Sequence, residues 1–435
     1  MRKINFVLGF LCSVFLTACN SYDNETPIEP SANTSKPNIL LIIADDMSKD
    51  ATSGFSEGVI KPNTPHINSI KNTGITFNNF WVYPTCSPTR ASIITGKYGF
   101  RTNVNWAGDR LSASETILQS YINQQTNNAY NTSLVGKWHL SGSGNNISNP
   151  ETLGIDYYAG LYGGGVQSYD LWQLAEDGEI TTQTQYISEK FTDLAIERIE
   201  SQDKPWFLWL AYNAPHTPFH APPSNMHSQG NLPEYTSGMD ALPYYLAAIE
   251  AMDFQIGRLL ESISEDERAN TIIIFMGDNG TPNQVAQAPY SNSTVKGSIY
   301  QGGINTPLFV SGQGVTRSGQ EDDNLINSTD LFATIAQIAG SETSMIHDSK
   351  SFQPLFKESL KIRDFQYSEL NNGSNHRWAI SNGSYKLFVD ANGNQELYNL
   401  LSDPYESTNL LLETLTTTQQ TTVTELENEL TELRQ

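Results

Sequence analysis

Four short runs, mostly of apolar or small residues, divide the chain as predicted strands, and predicted helices lie between them. The runs cover residues 38–44, 132–136, 205–212 and 271–276. The predicted helices cover residues 64–72, 114–124, 185–200 and 242–263. A run as continuously apolar as residues 38–44 is typical of a strand buried on both faces of a parallel sheet. We therefore expect an α/β fold with a large, doubly wound, mostly parallel sheet flanked by helices.

The pattern changes near residue 351. Strand, turn, strand, strand and helix signals follow one another at 377–381, 382–384, 385–389, 396–400 and 417–434. The Asn-Gly-Ser turn between the first two strands is typical of a β-hairpin. We expect a smaller C-terminal antiparallel sheet and helix. The predicted division is a large domain at 37–350 and a C-terminal subdomain at 351–435.

The first residues have the pattern of an export signal. Two basic residues precede an apolar run at 6–16, which is too short to span a bilayer comfortably. The run ends in Leu-Thr-Ala-Cys, which resembles a bacterial lipobox and implies a signal peptide at 1–18 and a lipid on Cys19. Simple secretion after cleavage near residue 18 is the alternative. Residues 19–36 are expected to form a flexible tether, which gives an exported protein anchored at the outer membrane, in the periplasm or at the cell surface.

Composition and charge narrow the function classes. The 435 residues suit one large α/β domain and a smaller one, and the formal net charge of −22 argues against a nucleic-acid partner. Three cysteines are present, of which Cys12 would leave with the signal and Cys19 would be lipidated. The mature domain then keeps only Cys86, so it can form no internal disulfide.

A Cys-x-Pro-x-Arg motif follows a predicted strand at 76–82 and begins a run of small residues typical of a helix. Pro88 suits an early helical position, because its missing N–H is no loss there. Cys86 would then lie at the helix N-terminus, where unpaired N–H groups and the helix dipole favour negative charge. The motif therefore predicts an anion site, although a buried structural cysteine is the plainer interpretation of a free thiol.

This motif, with Thr95-Gly96 shortly after it, resembles the signature of the type I, formylglycine-dependent sulfatases. These are arylsulfatase-like enzymes of the alkaline phosphatase superfamily, and they include bacterial polysaccharide sulfatases. The resemblance implies that Cys86 is oxidised to an aldehyde, formylglycine, which is hydrated to a geminal diol. It also implies a maturation partner, either a formylglycine-generating or a sulfatase-maturating enzyme.

Two polar pairs, Asp45-Asp46 and Asp278-Asn279, follow the first and fourth apolar runs. Ligand sites of open α/β sheets lie at such carboxyl ends of strands. The resemblance implies that these four residues, with the modified Cys86, bind a metal, which is usually calcium in the family. Three carboxylates and an amide are hard oxygen ligands that suit one Ca²⁺ ion, without distinguishing it from Mg²⁺. A solvated or tight turn is the alternative for each pair alone.

Five cationic or ionisable residues complete the catalytic candidates. Lys137 and His139 lie two apart, so both can face one side of an extended segment, and the resemblance implies that they contact the hydrated aldehyde and the sulfate. It likewise implies that His216 and Lys296 hold the sulfate and the departing oxygen, and that Arg90 supports the diol through its fork of donors. Several cations around one anion are what a sulfate site requires.

The resemblance also implies a mechanism. One diol hydroxyl attacks sulfur in line, while His216 or Lys296 protonates or stabilises the departing alcohol. His139, or a neighbouring base, then takes the proton of the second hydroxyl, and the diol collapses to aldehyde with release of sulfate. An unmodified Ser or Cys lacks that second hydroxyl and could not release sulfate in this way.

One segment departs from the family pattern. Gln301 and Asn305 stand where the family often has an acid before Gly-Gly and an Arg before the next strand. Because both are near Lys296 in the sequence, we expect them to affect local support or substrate preference more than catalysis.

Three other functions stay open. A phosphate or phosphonate monoester hydrolase of the same superfamily would share the fold and the metal, although a single hard-metal site and the intact motif favour sulfate. An inactive glycan-binding lipoprotein would keep the fold, yet every catalytic candidate is present. A thiol hydrolase that uses Cys86 and a His leaves the four metal-ligand candidates unexplained.

For the substrate we expect a sulfated carbohydrate, such as an algal polysaccharide or an oligosaccharide cut from one. The Gly/Ser/Asn-rich stretch at 141–149 and the glycine cluster at 160–165 are expected to form substrate-cleft loops. Aromatic side chains of the predicted cleft could stack on sugar rings, although simple packing explains them equally well. These residues are Trp106, Tyr157, Tyr158, Tyr162, Tyr169 and Trp172.

Overall fold

The structure, a computed structural model, describes residue 1 and residues 36–142 and 149–435. The predicted signal peptide after residue 1, the lipid site at Cys19 and the predicted tether up to residue 35 lie outside the described residues. The part of the predicted cleft loop at residues 143–148 lies outside them as well.

Sixteen strands and eleven α-helices are formed by the described residues. The strands are β1 (Asn38–Ala44), β2 (Ile75–Trp81), β3 (Asn131–Lys137), β4 (Tyr157–Leu161), β5 (Trp172–Glu176), β6 (Glu179–Gln183), β7 (Trp206–Ala211), β8 (Thr271–Gly277), β9 (Leu308–Gly312), β10 (Gln320–Asn327), β11 (Met345–Ile346), β12 (Ser349–Lys350), β13 (Gln366–Asn371), β14 (His376–Ser381), β15 (Tyr385–Asp390) and β16 (Gln395–Asn399). The helices are α1 (Pro65–Thr73), α2 (Cys86–Thr95), α3 (Gly99–Thr102), α4 (Leu118–Thr126), α5 (Asn149–Thr152), α6 (Ile187–Glu200), α7 (Leu242–Ser262), α8 (Glu265–Ala269), α9 (Gln301–Ile304), α10 (Asp330–Ile338) and α11 (Thr417–Leu433). Within the described chain, these helices include none with the length and apolar character needed to cross a membrane.

Ten of the strands form one large sheet in the order β10-β2-β9-β8-β1-β7-β3-β4-β5-β6. The centre, from β8 to β4, is parallel throughout, and the four predicted apolar runs are its strands β1, β3, β7 and β8. Strands β9 and β5 run antiparallel to their neighbours. The predicted α/β class with a mostly parallel sheet is confirmed.

Strand β1 shows why a central strand of this sheet is apolar at nearly every position. Ile39, Leu41 and Ile43 pack into one core cluster together with side chains of α2, α4 and α10. Leu40 and Ile42 pack on the opposite face with side chains of α1, α6 and α7. Burial of each such side chain contributes about 1.5–3 kcal/mol, so both faces of the sheet stabilise the fold.

Helix α2 lies inside the core, and all ten of its residues are buried. It begins at Cys86, with Pro88 in the first turn as the sequence predicts. It ends at Gly96, which has a left-handed conformation with φ of 67° and donates its N–H to the carbonyl of Ser92. A helix that is buried on all sides can hold its first residue away from bulk water.

A four-stranded antiparallel sheet, β13-β14-β15-β16, forms the C-terminal part, and α11 packs on it. The predicted hairpin is β14 and β15, so this expectation is confirmed as well. Lys386 on β15 forms a fully buried ion pair with Glu406 and donates to the carbonyl of Ile299 at 2.7 Å. These contacts join the C-terminal sheet to the large sheet's loops. The domain boundary at residue 351 stays a prediction.

Two local expectations differ from the structure. The helix predicted at 114–124 begins at Leu118, because Ser112 and Ser114 bond to each other and form a turn instead. Part of the glycine cluster at 160–165, predicted as a cleft loop, is the end of strand β4.

Gly160 belongs to β4 because its lack of a side chain allows a very close approach to β3. A Cβ atom at Gly160 would stand 1.8 Å from the carbonyl oxygen of Gly136, which is a contact with backbone that cannot rotate away. Glycine inside a strand is typical of such close backbone approach.

We therefore expect Gly160→Ala to lower the free energy of unfolding by about 2–3 kcal/mol, because the strands must separate to admit the methyl group. Chemical denaturation would measure the change. Gly163→Ala is the matched control, since a Cβ at Gly163 meets no atom within 4 Å. Equal stability of the two variants would contradict this account of the β3–β4 contact.

Candidate active site

Four neighbouring strands, in the order β8-β1-β7-β3, bring predicted site residues to one edge of the large sheet. The register pairs Ala44 of β1 with Gly277 of β8. Asp45 and Asp278 are the next residues on those two strands, so their side chains start side by side. Lys137 ends β3, and the segment with His216 follows β7. The predicted convergence at the carboxyl ends is therefore what the sheet produces.

Cys86 is the first residue of α2 and is almost completely buried at 1% exposure. Its Sγ lies 3.4 Å from Asp45 Oδ1 and 3.4 Å from Lys137 Nζ. Burial raises the pKa of the Cys86 thiol well above its usual value, even though Lys137 opposes the shift. A thiol with this pKa is protonated at neutral pH and is a poor nucleophile.

Asp45 and Lys137 form an ion pair from which water is excluded. Lys137 Nζ lies 2.5 Å from Asp45 Oδ2, and neither side chain has exposed surface. Burial alone would raise the pKa of Asp45, but Lys137, His216 and Arg90 outweigh it, so the pKa lies below its usual range. The carboxylate is therefore charged at neutral pH and available as a ligand.

Arg90 lies one helical turn after Cys86 and is buried against Asp278. Its Nε and one terminal nitrogen donate to Asp278 Oδ2 at 3.1 and 2.7 Å, and the other terminal nitrogen donates to the carbonyl of Lys137 at 2.6 Å. The fork of donors thus joins α2, β8 and β3. In this structure Arg90 contacts the Asp278 carboxylate and the backbone of Lys137, whose side chain lies beside Cys86.

Asp46 is the centre of a third set of contacts. Lys296 Nζ lies 2.6 Å from its carboxylate, and Asn279 Nδ2 donates to its Oδ1 at 2.7 Å. His216 Nε2 lies 3.8 Å from its Oδ2. Burial would lower the pKa of Lys296, but the neighbouring Asp46 raises it above its usual value. Lys296 therefore carries its charge.

Exposure differs systematically among these residues. Asp45, Asp46, Asp278 and Asn279 are fully buried or nearly so, whereas a fifth of the Lys296 and His216 side chains is exposed. His139 is also partly buried. The three carboxylates and Asn279 therefore form the floor of the site, and a ligand would enter from the side of Lys296 and His216.

The residues present fit a hard divalent cation. Asp45, Asp46, Cys86 and His216 offer ligand atoms that all lie within 4.8 Å of one another. Asn279 Oδ1 is buried and has no hydrogen-bond partner among the described residues, which is costly unless another group satisfies it. Carboxylate and amide oxygens are ligands that Ca²⁺ and Mg²⁺ share. This buried acidic cluster is consistent with a metal site.

His139 is held by its backbone and by packing. Its carbonyl accepts a hydrogen bond from Ser87 Oγ at 2.7 Å, while its Nδ1 has no partner among the described side chains and backbone groups. Burial lowers the pKa of His139 well below its usual value, and Lys137 and Arg90 lower it further. The imidazole is therefore neutral and able to accept a proton.

Sequence reasoning missed several residues that hold the site together. Ser87 bonds both the carbonyl of His139 and the N–H of Gly108, and Tyr245 on α7 donates to the carbonyl of Asp46 at 2.8 Å. Tyr169 donates to the carbonyls of Asn213 and His216. These bonds join residues far apart in the chain, so no local pattern signals them.

The six predicted cleft aromatics fall into two groups. Tyr158, Tyr162, Tyr169 and Trp172 are at most 4% exposed, so packing is the right interpretation for these four. Tyr157 and Trp106 are partly buried. The ring of Trp106 lies beside Gly297, the residue after Lys296, at the partly exposed side of the site.

The segment that departs from the family pattern is supported by the C-terminal part of the chain. The N–H of Gln301 donates to Glu406 Oε2 at 2.6 Å, and Glu406 is paired with the buried Lys386. Asn305 pairs with Trp81 in an isolated bridge. The Glu406 carboxylate that stabilises the start of α9 thus comes from the C-terminal region.

Comparisons with known proteins agree with this architecture. The sulfatase family model matches residues 37–341, and a model described as N-sulphoglucosamine sulphohydrolase, C-terminal, matches residues 295–435. The uncharacterized sulfatase YdeN of Escherichia coli K12 is 28% identical over 379 residues, which cover 73% of this chain and 65% of the relative. The arylsulfatase of Klebsiella aerogenes is 25% identical over 434 residues, which cover 76% of this chain and 92% of the relative.

Solved structures share the fold. Ps i-CgsB in complex with k-i-k-neocarrahexaose superposes with a TM-score of 0.76 at 23% identity, covering 92% of each chain. BT4656 in complex with D-glucosamine-2-N,6-O-disulfate gives a TM-score of 0.75 at 21% identity, covering 92% of this chain and 98% of the other. At these identities the likeness shows the fold. The chain spans slightly less than two thirds of the length of YdeN. Its match to the sulfatase family model over residues 37–341 shows that it belongs to the sulfatase family, whose type I members are part of the alkaline phosphatase superfamily.

We expect Asn279→Leu to weaken the binding of a divalent cation such as calcium at least about tenfold, because it removes the buried, unpartnered oxygen that we predict to be a ligand. Bound calcium would be measured by elemental analysis, and the stabilisation that added calcium gives would be measured by thermal unfolding. Asn292→Leu, an identical exchange at an exposed position, is the control. Equal calcium binding by the two variants would contradict the assignment of Asn279.

Proposed function

We propose that this protein hydrolyses sulfate monoesters of a sulfated poly- or oligosaccharide. The observation that carries the proposal is a set of three ion pairs, each with a buried carboxylate, around Cys86 at a helix N-terminus. The pairs are Asp45–Lys137, Asp278–Arg90 and Asp46–Lys296. Membership of the sulfatase family supports the same chemistry.

Charge balance explains why these residues suit a sulfate ester. Three carboxylates and three cations make the set formally neutral. One Ca²⁺ ion, held by Asp45, Asp46, Asp278 and Asn279 together with the modified Cys86, would add two positive charges and polarise the bound oxygens. The site would then favour an anion, which the free N–H groups and the helix dipole at the N-terminus of α2 favour as well.

Each catalytic candidate has a task that its contacts support. Lys137 Nζ, 3.4 Å from Cys86 Sγ, is within reach of an oxygen carried by the modified residue 86. Lys296 and His216, on the partly exposed side, are within reach of the sulfate oxygens and the departing alcohol oxygen. His216 Nδ1 lies 2.7 Å from the carbonyl of Thr217, so Nε2 is the nitrogen left to protonate the alcohol.

His139 is the residue we propose as the base of the second step. Its lowered pKa keeps it neutral, which is the protonation state that a base must have before it takes the proton whose removal releases sulfate. Arg90 binds Asp278 and the backbone of Lys137, which holds the floor of the site in position. We assign to Arg90 this orienting task beside its predicted support of the diol.

We propose that Cys86 acts after conversion to formylglycine, through a maturation enzyme. The hydrated aldehyde supplies an oxygen nucleophile and a second hydroxyl, which the thiol lacks. The raised pKa of the Cys86 thiol argues against the thiol-hydrolase alternative. The intact cation set argues against an inactive binding protein.

The saccharide substrate is inferred from relatives with described ligands. Structural neighbours were solved with a neocarrahexaose and with a glucosamine disulfate. An N-acetylglucosamine-6-O-sulfatase of Bacteroides thetaiotaomicron is 31% identical over 218 residues, which cover 47% of this chain and 34% of the relative. Glycosaminoglycan and algal sources are both compatible with these ligands, and we retain the algal polysaccharide as the proposal. Trp106, partly exposed beside Gly297, is the aromatic residue we propose to stack on the sugar ring.

We also propose that the protein is exported and anchored through a lipid on Cys19, which lies outside the described residues. Fatty-acid incorporation that persists in a Cys19→Ala variant would contradict this anchor.

The first test is peptide mass spectrometry of the fragment that contains Cys86, with an aldehyde-trapping reagent, from a host able to modify sulfatases. We expect a trapped aldehyde at residue 86 and none in a Cys86→Ala variant. If only free thiol is found where a known sulfatase is converted in parallel, the formylglycine proposal fails.

The second test is sulfate release from sulfated galactan and glucosamine oligosaccharides, compared with release of phosphate from matched phosphate and phosphonate esters. We expect sulfate esters to be preferred, and His216→Ala and Lys296→Met to lower kcat at least about a hundredfold, because each removes a group that stabilises the departing oxygen or the sulfate. Asp348→Asn, which removes a carboxylate paired with Arg101 outside the site, is the control. Preference for phosphate or phosphonate would favour the alternative hydrolase.

A further inference from the structure

The connection between β4 and β5 contacts both histidines of the proposed site. A Cβ atom at Gly164 would stand 2.2 Å from His139 Nε2 and 2.3 Å from its Cε1. A Cβ at Gly165 would stand 3.5 Å from His216 Cε1, an ordinary van der Waals distance. The chain therefore lies directly on the His139 ring, where any side chain at residue 164 would occupy the same space.

His139 depends on this packing for its orientation. Its Nδ1 has no hydrogen-bond partner among the described residues. An imidazole is usually oriented by the bond that its second nitrogen makes, and here that bond is missing from the described contacts. Because Gly164 has no side chain, the His139 ring has room for its observed position. The backbone of Gly164 restricts other positions of that ring.

Tyr169 fixes the segment that carries His216. Its buried hydroxyl lies 2.8 Å from the carbonyl oxygen of Asn213 and 2.6 Å from that of His216, so it donates to the backbone on which the His216 side chain is mounted. Its ring stacks on His220 with 3.7 Å between centroids and 20° between planes. The segment from Asn213 to His220 is thus held near both of its ends.

We propose that the segment from Gly164 to Tyr169 is a positioning element that orients His139 and His216 for the reaction. Gly164 gives the His139 ring its space, and the Tyr169 hydroxyl holds the backbone of His216. The inference rests on the proposed function, in which these two histidines act as base and acid. It assigns to a buried tyrosine, predicted as a sugar platform, a positioning role instead.

Gly164→Ala tests the contact with His139, and Gly163→Ala is the matched control because a Cβ there meets no atom within 4 Å. In spectra of protein labelled with ¹⁵N-histidine, we expect Gly164→Ala to shift the His139 resonances and Gly163→Ala to leave them unchanged. Turnover should fall at least about tenfold in Gly164→Ala only, because small misplacements of a catalytic group cost this much or more. Aldehyde content, calcium content and thermal stability should match those of Gly163→Ala.

Tyr169→Phe tests the contact with His216. Tyr158→Phe is its control, since Tyr158 is equally buried at 1% and its hydroxyl has no partner among the described groups. We expect Tyr169→Phe to shift the His216 resonances. It should also lower kcat about tenfold more for phenyl sulfate than for 4-nitrophenyl sulfate, because the poorer leaving group depends more on protonation. A merely structural role would lower both rates alike.

Parallel measurements on His139→Ala and His216→Ala distinguish failure of the proposed function from failure of the positioning element. If these variants keep full activity, the proposed roles of the histidines are wrong. If they lose activity while Gly164→Ala and Tyr169→Phe behave like their controls in both spectrum and turnover, the positioning element is overturned and the proposed function stands. The histidine spectra need no substrate, so they decide the question even where aryl sulfates are turned over slowly.

Discussion

The cost of buried charge is the constraint on which this structure depends. Asp45, Asp46 and Asp278 lie at strand ends with at most 1% exposure, and an unpaired charge in such a position costs several kcal/mol. Each carboxylate is therefore paired with a cation from a different element. Asp45 is paired with Lys137 at the end of β3. Asp278 is paired with Arg90 of helix α2, and Asp46 with Lys296 in the loop before α9. The site can form only when these elements come together, so its formation and folding of the large sheet are coupled.

Burial then separates the site into layers with different tasks. The carboxylates and the Arg90 guanidinium form a rigid floor that water does not reach, while Lys296, His139 and His216 lie toward solvent. A low-dielectric floor strengthens the interaction of the partly exposed Lys296 cation with an anion, because fewer water dipoles oppose it. Helix α2, buried throughout, adds the partial positive charge of its N-terminus at Cys86.

The parts of the fold that the sequence predicted well are those in which local pattern and tertiary environment agree. Strands β1, β7 and β8 are apolar at nearly every position because both faces are covered, and that pattern is visible without a structure. Strand β6 is largely exposed, so it lacked a strong pattern and was not predicted. The start of α4 was misplaced, because hydrogen bonds between neighbouring serines compete with a helix.

The sequence by itself determined the class of the fold, the helix start at Cys86 and the identity of the candidate site residues, since each depends on neighbours along the chain or on a short motif. Only the tertiary structure decided which carboxylate pairs with which cation, that Ser87 and Tyr245 hold the backbone of the site, and that Tyr169 contacts His216 rather than a sugar. The physical reason is that hydrogen bonds and ion pairs act over a few ångströms between groups far apart in the sequence. Their partners are therefore set by the order and register of the strands.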